Sequence, residues 1–196
     1  MKRLIVFLTL AAMVSCAPGG WTASEKALIN DESKGAVMRV LTVDDAADSL
    51  ILRAPSKDMS VKALKSPEYK LLENRLIATV TSPEQDGVGI AGPQVGLLRR
   101  VVAVQRFDKE GEPFEVYPNI RITAFRGDKE PGGEGCLSVP GRRGQVLRYR
   151  DIDITYTSLQ SYADTTERVQ GFTAVIFQHE CDHLDGVLYI DKIDLE

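Results

Sequence analysis

The segment QHECDHLDG, residues 178–186, constrains the fold more than any other, because it contains both histidines of the chain. His179 and His183 are four residues apart, so in an α-helix they project from one face and can reach one cation. Glu180 lies on the neighbouring side. This is the HExxH pattern, in which two histidines bind a metal ion and the glutamate acts as general base. The segment predicts a helix with a metal site, and two ordinary surface or core histidines are the alternative.

A catalytic zinc site normally has three protein ligands, so two histidines leave one ligand to be found. The chain has no further histidine, which leaves a cysteine or a carboxylate. Cys16 lies in the N-terminal apolar segment, and Cys181 points about 200° away from His179, where we expect a buried apolar residue. Cys136, within PGGEGCLSVPG, is the remaining thiol, and a thiolate suits zinc or iron. Glu134 as third ligand and a Cys136–Cys181 disulfide are the alternatives.

The first sixteen residues, MKRLIVFLTLAAMVSC, have the layout of an export signal. Two basic residues precede an apolar run of Leu4 to Val14, which is too short to cross a bilayer as a helix, a task that takes about 20 residues. The segment resembles the signal of bacterial lipoproteins, in which Cys16 would be acylated and would anchor an exported protein to the membrane. The alternative is a trimmed or buried N-terminal segment on a cytoplasmic protein. Residues 17–36 predict a polar tether.

The rest of the chain, residues 37–196, predicts one α+β domain. Ser66 and Pro67 are a typical helix start, with Leu72, Leu76 and Val80 at helical spacing. A second helix is expected from about residue 172 to 184, carrying the histidines. Four stretches favour strands, and their short length and turn residues favour antiparallel sheets: MRVLTV, RRVVAVQRF, VYPNIRITAF and DIDITYTS. The stretch DSLILRAPSKDMS is expected to be irregular.

The formal net charge of −4 and the pI near 5.3 give no support for a nucleic-acid partner, which would require a basic face.

Three stretches resemble the signature motifs of peptide deformylases in their order and spacing: GVGIAGPQ at 87–94, EGCLS at 134–138 and QHECDHLDG at 178–186. The resemblance implies a peptide-deformylase-like fold, with mostly antiparallel short sheets around a central late helix. It also implies a hydrolase that removes the formyl group from N-formylmethionyl peptides and releases formate. The family uses one divalent metal ion, typically Fe²⁺ and often Zn²⁺. Export would favour Zn²⁺, because Fe²⁺ and a thiolate oxidise more readily outside the cytosol.

Carried over position by position, the resemblance implies a role for each site residue. Hydroxide formed at the metal would attack the formyl carbon, with Glu180 as general acid and base. The metal ligands would be Cys136, His179 and His183, the oxyanion would be held by Gln94 and the backbone N–H of Leu137, and the substrate would lie beside Gly89 and Ile90. We expect Ile90, Phe177 or the residues just before His179 to line an apolar pocket for methionine. Gly92 stands where the family usually has alanine, which predicts a looser loop.

Two other functions are compatible with the sequence. An HExxH endopeptidase would use a carboxylate such as Glu134 as its third ligand. A lipid-anchored binding protein would recognise formylated peptides without cleaving them.

Overall fold

The computed structural model describes residues 20–33 and 35–193, and these form five α-helices and two three-stranded sheets. The helices are α1 (Ala23–Ile29), α2 (Ala46–Leu52), α3 (Val61–Leu64), α4 (Pro67–Val80) and α5 (Gly171–Leu184). The strands are β1 (Gly89–Ala91), β2 (Val101–Gln105), β3 (Phe114–Pro118), β4 (Arg121–Cys136), β5 (Val139–Thr157) and β6 (Asp164–Gln170). No helix in this part of the chain has the length and apolar character needed to span a membrane.

Both sheets are antiparallel, in the orders β1-β2-β3 and β4-β5-β6. Helix α5 packs between them, because its residues Ala174, Phe177 and Cys181 belong to a buried apolar cluster that also includes Val102 of β2 and Ile152 of β5. A second cluster lies around α4. The predicted α+β class and the antiparallel sheets are confirmed.

The predicted helix starts and ends agree with α4 and α5. Ser66 Oγ accepts a hydrogen bond from Tyr69 N at 3.4 Å, and Pro67 occupies the first turn, where its missing N–H leaves no bond unmade. Gly186, just after α5, has φ +74°, and a Cβ there would lie 2.4 Å from Arg53 O. Only glycine fits this helix end, because both the backbone conformation and the space exclude a side chain.

A buried arginine joins the two sheets. Arg106 directly follows β2, and its side chain is 1% exposed. Its guanidinium bonds to Asp108 at 2.7 and 2.8 Å, to Glu115 of β3 at 3.3 Å and to Glu167 of β6 at 2.6 Å. It also donates to the hydroxyl of Tyr117. We call these five residues the Arg106 cluster.

Two local predictions are wrong. MRVLTV forms no strand, because its backbone bonds singly to two different segments: Leu41 N to Gln94 O at 2.8 Å, and Val43 N to Ser138 O at 2.9 Å. The stretch expected to be irregular contains α2 instead. Asp45 caps this helix by accepting bonds from the N–H groups of Ala47 and Asp48, and the helix ends before Pro55, so the proline does not interrupt it.

The predicted polar tether is also wrong where the structure describes it. Thr22 and Glu25 form a reciprocal capping box that starts α1. Trp21 is buried, and its Nε1 donates to Ser66 Oγ at 2.8 Å, while Ile29 is fully buried. These two apolar side chains supply the burial that attaches the segment to α4. The predicted export signal, including Cys16, lies outside the described residues.

Candidate metal centre

The candidate ligands come from two elements that meet at one end of β4. Cys136 is the last residue of β4, and His179 and His183 lie one turn apart on α5. One ligand atom from each of the three lies within 4.8 Å of the others, and Cys136 Sγ is 3.1 Å from His183 Nε2. A thiolate with two imidazoles suits Zn²⁺ or Fe²⁺ and leaves a coordination position open. The residues present therefore fit a catalytic metal ion.

His179 is held by a buried ion-paired network. Its Nδ1 is 2.8 Å from Glu134 Oε2, which leaves Nε2 as the nitrogen that can bind a metal. Arg148 donates to both oxygens of Glu134, at 2.7 and 3.0 Å, and to Asp182 of α5 at 2.6 Å. Burial opposes ionisation of Glu134, but the hydrogen bonds from His179 and Arg148 lower its pKa to about 2. Glu134 is thus engaged in orienting His179, which disfavours it as the third ligand.

Two buried atoms of the centre have no hydrogen-bonding partner among the described residues: Glu180 Oε2 and His183 Nδ1. Burial raises the pKa of Glu180 to about 7, which suits a group that accepts and returns a proton near neutral pH. Burial lowers the pKa of His183 well below its usual value, so its imidazole is neutral, the form that binds metals. Because Glu180 lines the groove, its unpartnered oxygen indicates a place for a polar ligand there.

Gln94 faces the centre from a short 3₁₀ helix, Gly92–Val95. Its Oε1 accepts a bond from Ala91 N at 2.8 Å, which fixes the orientation of the amide. Its Nε2 donates to Ser138 Oγ at 3.3 Å and lies 3.6 Å from Cys136 Sγ. The amide donor is therefore turned toward the cysteine, as the predicted oxyanion role requires.

Gly89 lies directly against the predicted acid and base. A Cβ on Gly89 would lie 2.5 Å from Glu180 Oε1 and 2.8 Å from Ile176 Cγ2, so a larger residue would displace both. Side chains alternate between the two faces of a strand. Because position 89 faces α5, Ile90 faces away from it, fully buried beside α4. The prediction that the Ile90 side chain lines the substrate pocket is therefore wrong, although its backbone remains beside Gly89.

A groove of about 560 Å³ runs over the centre. Its apolar lining comes partly from α5, from the exposed Phe172 and the buried Val175 and Ile176. These residues stand seven, four and three positions before His179, so helical spacing places them on the histidine face. Residues just before His179 were among the candidates for the pocket, so Val175 and Ile176 agree with that expectation, whereas Phe172 lies about one turn further away and was not named. Phe177, which we had expected in the pocket, is instead fully buried against Tyr117, with ring centroids 5.0 Å apart.

Three further predictions concern glycine and cysteine. Gly92 was expected to loosen its loop, but a Cβ there would lie 2.6 Å from Arg99 O and 2.7 Å from Leu97 O. The loop is therefore tightly packed, and that prediction is wrong.

Cys136 and Cys181 are both free, which excludes the disulfide. Cys181 is buried as expected, and burial raises the pKa of its thiol.

Comparison with known proteins places these features in context. The profile of the family described as "Polypeptide deformylase" matches residues 37–196. A peptide deformylase of Leptospira biflexa is 34% identical over 165 residues, which cover 81% of this chain and 88% of that protein. A crystal structure of a class I type b peptide deformylase from Acinetobacter baumannii is 36% identical with a TM-score of 0.71, covering 80% of this chain and 99% of that one. The same enzyme with Met-Ala-Ser bound is 35% identical with a TM-score of 0.70, covering 80% and 98%.

Proposed function

The chain belongs to the polypeptide deformylase family, and from this premise we propose that it hydrolyses N-formylmethionyl peptides to formate and a free amino terminus. One observation carries the proposal. The candidate ligands Cys136, His179 and His183 converge within 4.8 Å at the floor of a groove, beside a buried carboxylate of Glu180 that no described residue satisfies.

Cys136, His179 and His183 would hold the metal ion. A divalent ion there supplies Lewis-acid chemistry, which lowers the pKa of water from 15.7 toward about 7 and polarises a carbonyl oxygen. The family resemblance favours Fe²⁺, and export would favour Zn²⁺. Glu134 and Arg148 orient His179, so the ligand geometry is supported by groups that are themselves buried and paired.

Glu180 is proposed as the general acid and base. It takes the proton from the water that attacks the formyl carbon, and later gives a proton to the departing amine. Its raised pKa, about 7, makes both transfers accessible near neutrality. The absence of a side chain at Gly89 leaves room for this carboxylate beside the substrate, because a Cβ there would lie 2.5 Å from Glu180 Oε1.

Gln94 and Leu137 are proposed to stabilise the oxyanion that forms during attack. The Gln94 amide is already oriented by Ala91 N, so no reorganisation is needed at the moment of reaction. The backbone N–H of Leu137, directly after Cys136, would supply the second donor. Loss of one such donor typically lowers kcat by about 10²- to 10³-fold.

The peptide is proposed to bind as an added strand. In the described sheet β1 pairs only with β2, so its other edge is available to an extended peptide backbone at Gly89. The methionine side chain would occupy the apolar part of the groove at Phe172, Val175 and Ile176. The Acinetobacter baumannii relative with Met-Ala-Ser bound supports a peptide ligand of this kind.

The endopeptidase alternative finds no support in the site, because Glu134 is already bonded to Arg148 and His179. The non-catalytic binding alternative is disfavoured because Glu180 and Gln94 both stand at the centre.

A formate-release assay tests the proposal. The protein, including α1, is loaded in turn with Fe²⁺, Zn²⁺, Ni²⁺ or Co²⁺ and mixed with formyl-Met peptides, and at least one loaded form is expected to release formate. Cys136→Ser is expected to lose both metal content and activity, because a soft anionic ligand is replaced by a neutral hydroxyl. Cys181→Ala is the matched control and should keep its metal. A Cys136→Ser protein with full metal content would exclude this ligand set.

We further propose that residues 1–16 direct export and that Cys16 carries a lipid anchor. The basic start, the apolar run and the cysteine support this proposal. Labelling with a radioactive fatty acid should mark the wild type and leave Cys16→Ala unlabelled. An unlabelled wild type in a host known to acylate lipoproteins would contradict the proposal and favour a cytoplasmic protein.

A further inference from the structure

The hairpin of β4 and β5 is irregular just before Cys136. Glu134 pairs with Gly144, and Cys136 pairs with Val139. Gly135 alone on β4 therefore stands opposite residues 140–143 of β5, so the longer side bulges out of the ladder. Gly141 has φ +70°, a conformation that such a bulge needs and that other residues rarely adopt. We call residues 140–143 the β5 bulge.

The β5 bulge carries two arginines over the active-site groove. Arg142 and Arg143 are exposed and line the same groove as Glu180 and Cys136. A Cβ on Gly135 would lie 3.6 Å from Arg143 Cγ, so the stem of this arginine lies beside Gly135, one residue before Cys136. The two guanidinium groups are thus placed beside the path of any peptide whose formyl end reaches the metal centre.

Neither guanidinium has a hydrogen bond or ion pair to any described residue, which sets both apart from Arg148 and Arg106. Among the acidic residues that line the groove, Glu134 is neutralised by Arg148, and Glu180 is at the reacting centre. Asp86 alone remains at the groove to oppose the two positive charges. The outer part of the groove is therefore net positive, although the chain as a whole is acidic.

We propose that Arg142 and Arg143 bind a carboxylate of the substrate peptide beyond its formylmethionine, so that acidic peptides are preferred. The inference rests on the proposed deformylase function and deepens it. A guanidinium matches a carboxylate in two parallel hydrogen bonds, and unpaired exposed charges also speed the arrival of an oppositely charged substrate. The carboxylate has two sources, an aspartate or glutamate side chain and the C-terminus of a short peptide.

Four substrates separate charge and source. Formyl-Met-Ala-Glu-amide carries a side-chain carboxylate, formyl-Met-Ala-Gln with a free C-terminus carries a terminal one, formyl-Met-Ala-Gln-amide carries none, and formyl-Met-Ala-Lys-amide is positive. We expect kcat/KM about 1.5- to fivefold higher for either carboxylate peptide than for the uncharged one, as for solvent-exposed charge pairs. The lysine peptide should be slower. The ratio should approach one in about 0.5 M salt, because screening then acts within a few ångströms.

Variants then identify the groups responsible. Arg142→Gln/Arg143→Gln should reduce the carboxylate-to-neutral ratio to about one, and Arg142→Lys/Arg143→Lys should keep most of it, because the charge stays. Lys57→Gln/Lys62→Gln removes the same charge from exposed residues outside the groove and should keep the wild-type ratio. Equal rates on all four peptides, or a ratio that survives loss of both arginines, would overturn this inference and leave the deformylase proposal standing. Absence of formate from every peptide would overturn both.

Discussion

The Arg106 cluster and the candidate metal centre both bury charge beside α5, but they satisfy it differently. In the Arg106 cluster the guanidinium reaches three carboxylates and a phenol, which come from both sheets and from the loop after β2. In the metal centre, Glu180 Oε2 and His183 Nδ1 are buried with no partner among the described residues. One region is complete without a ligand, and the other is not.

This difference distinguishes buried charges that stabilise the fold from buried charges that serve the reaction. A buried polar group without a partner typically costs about 1–3 kcal/mol of stability, so a chain selected for stability alone would pair or replace it. The Arg106 cluster shows that this chain does pair buried charge where no chemistry is required. Unpartnered buried hydroxyls also occur away from the centre, as at Ser56 and Tyr69, so the marker of the reacting centre is the unpartnered carboxylate oxygen of Glu180 at the groove. Four substitutions test that distinction.

The largest effect is expected from Glu180→Gln. Removal of the proposed general acid and base should lower kcat by about 10²- to 10⁴-fold. The melting temperature should not fall, because the lost charge is buried and unpartnered. Formate release, metal content and calorimetry measure the three quantities. A variant that keeps most of its kcat would remove Glu180 from the mechanism, and a large drop in melting temperature would show that its charge stabilises the fold.

The next effect is expected from Arg106→Met, with the opposite signature. It leaves three carboxylates without their common cation, and we expect a loss of about 2–4 kcal/mol in the free energy of unfolding. Arg121→Met is the matched control, because that arginine pairs with Asp58 in a half-exposed bridge worth less than about 1 kcal/mol. Urea unfolding gives both values. The kcat of folded Arg106→Met should stay near that of the wild type, and a selective loss of kcat would break the comparison.

A smaller effect is expected from Glu134→Gln, which weakens the support of a ligand without removing one. The affinity for metal should fall about 10- to 100-fold, the usual result of losing such a partner of a metal-bound histidine. Competition with a chelator measures it. Glu130→Gln is the matched control. Glu130 lies on β4, as Glu134 does, but it is exposed and pairs with Arg150, so its substitution should leave metal affinity unchanged. If Glu134→Gln abolished binding altogether, Glu134 would be a ligand and not an orienting group.

The smallest effect is expected from Gly92→Ala. The added methyl group meets two backbone carbonyls, so overpacking should cost about 1–2 kcal/mol. Gly20→Ala, where the new Cβ meets nothing within 4 Å, is the control for a glycine substitution as such. Thermal unfolding compares the two. Equal or higher stability of Gly92→Ala would restore the original expectation of a loose loop.

The sequence predicted the elements whose signals are local. The periodicity of α4, the spacing of His179 and His183 on α5, and the β-branched runs of β2 and β5 all report on backbone geometry that neighbouring residues impose. Elimination among three cysteines singled out Cys136 as the candidate thiol but left a carboxylate such as Glu134 open, and the structure brings Cys136 together with the histidines.

Features that depend on distant contacts were not predictable in the same way. The role of Glu134 depends on Arg148 and His179, which are 14 and 45 residues away. The Ile90 side chain faces away from the groove because α5 lies against the other face of β1. Helix α1 is stable because Trp21 and Ile29 contact α4. Composition marked residues 17–36 as polar, and two apolar side chains were sufficient to override it.

The packing of Trp21 sets an upper limit on the distance between Cys16 and the folded domain. Trp21 is five residue steps from Cys16, and a fully extended chain spans at most about 3.3–3.6 Å per step, which gives roughly 17 Å. An acyl group on Cys16, as proposed, would therefore keep the folded domain within a short distance of the lipid headgroups. Its substrates would then be drawn from the thin layer of solution next to the bilayer.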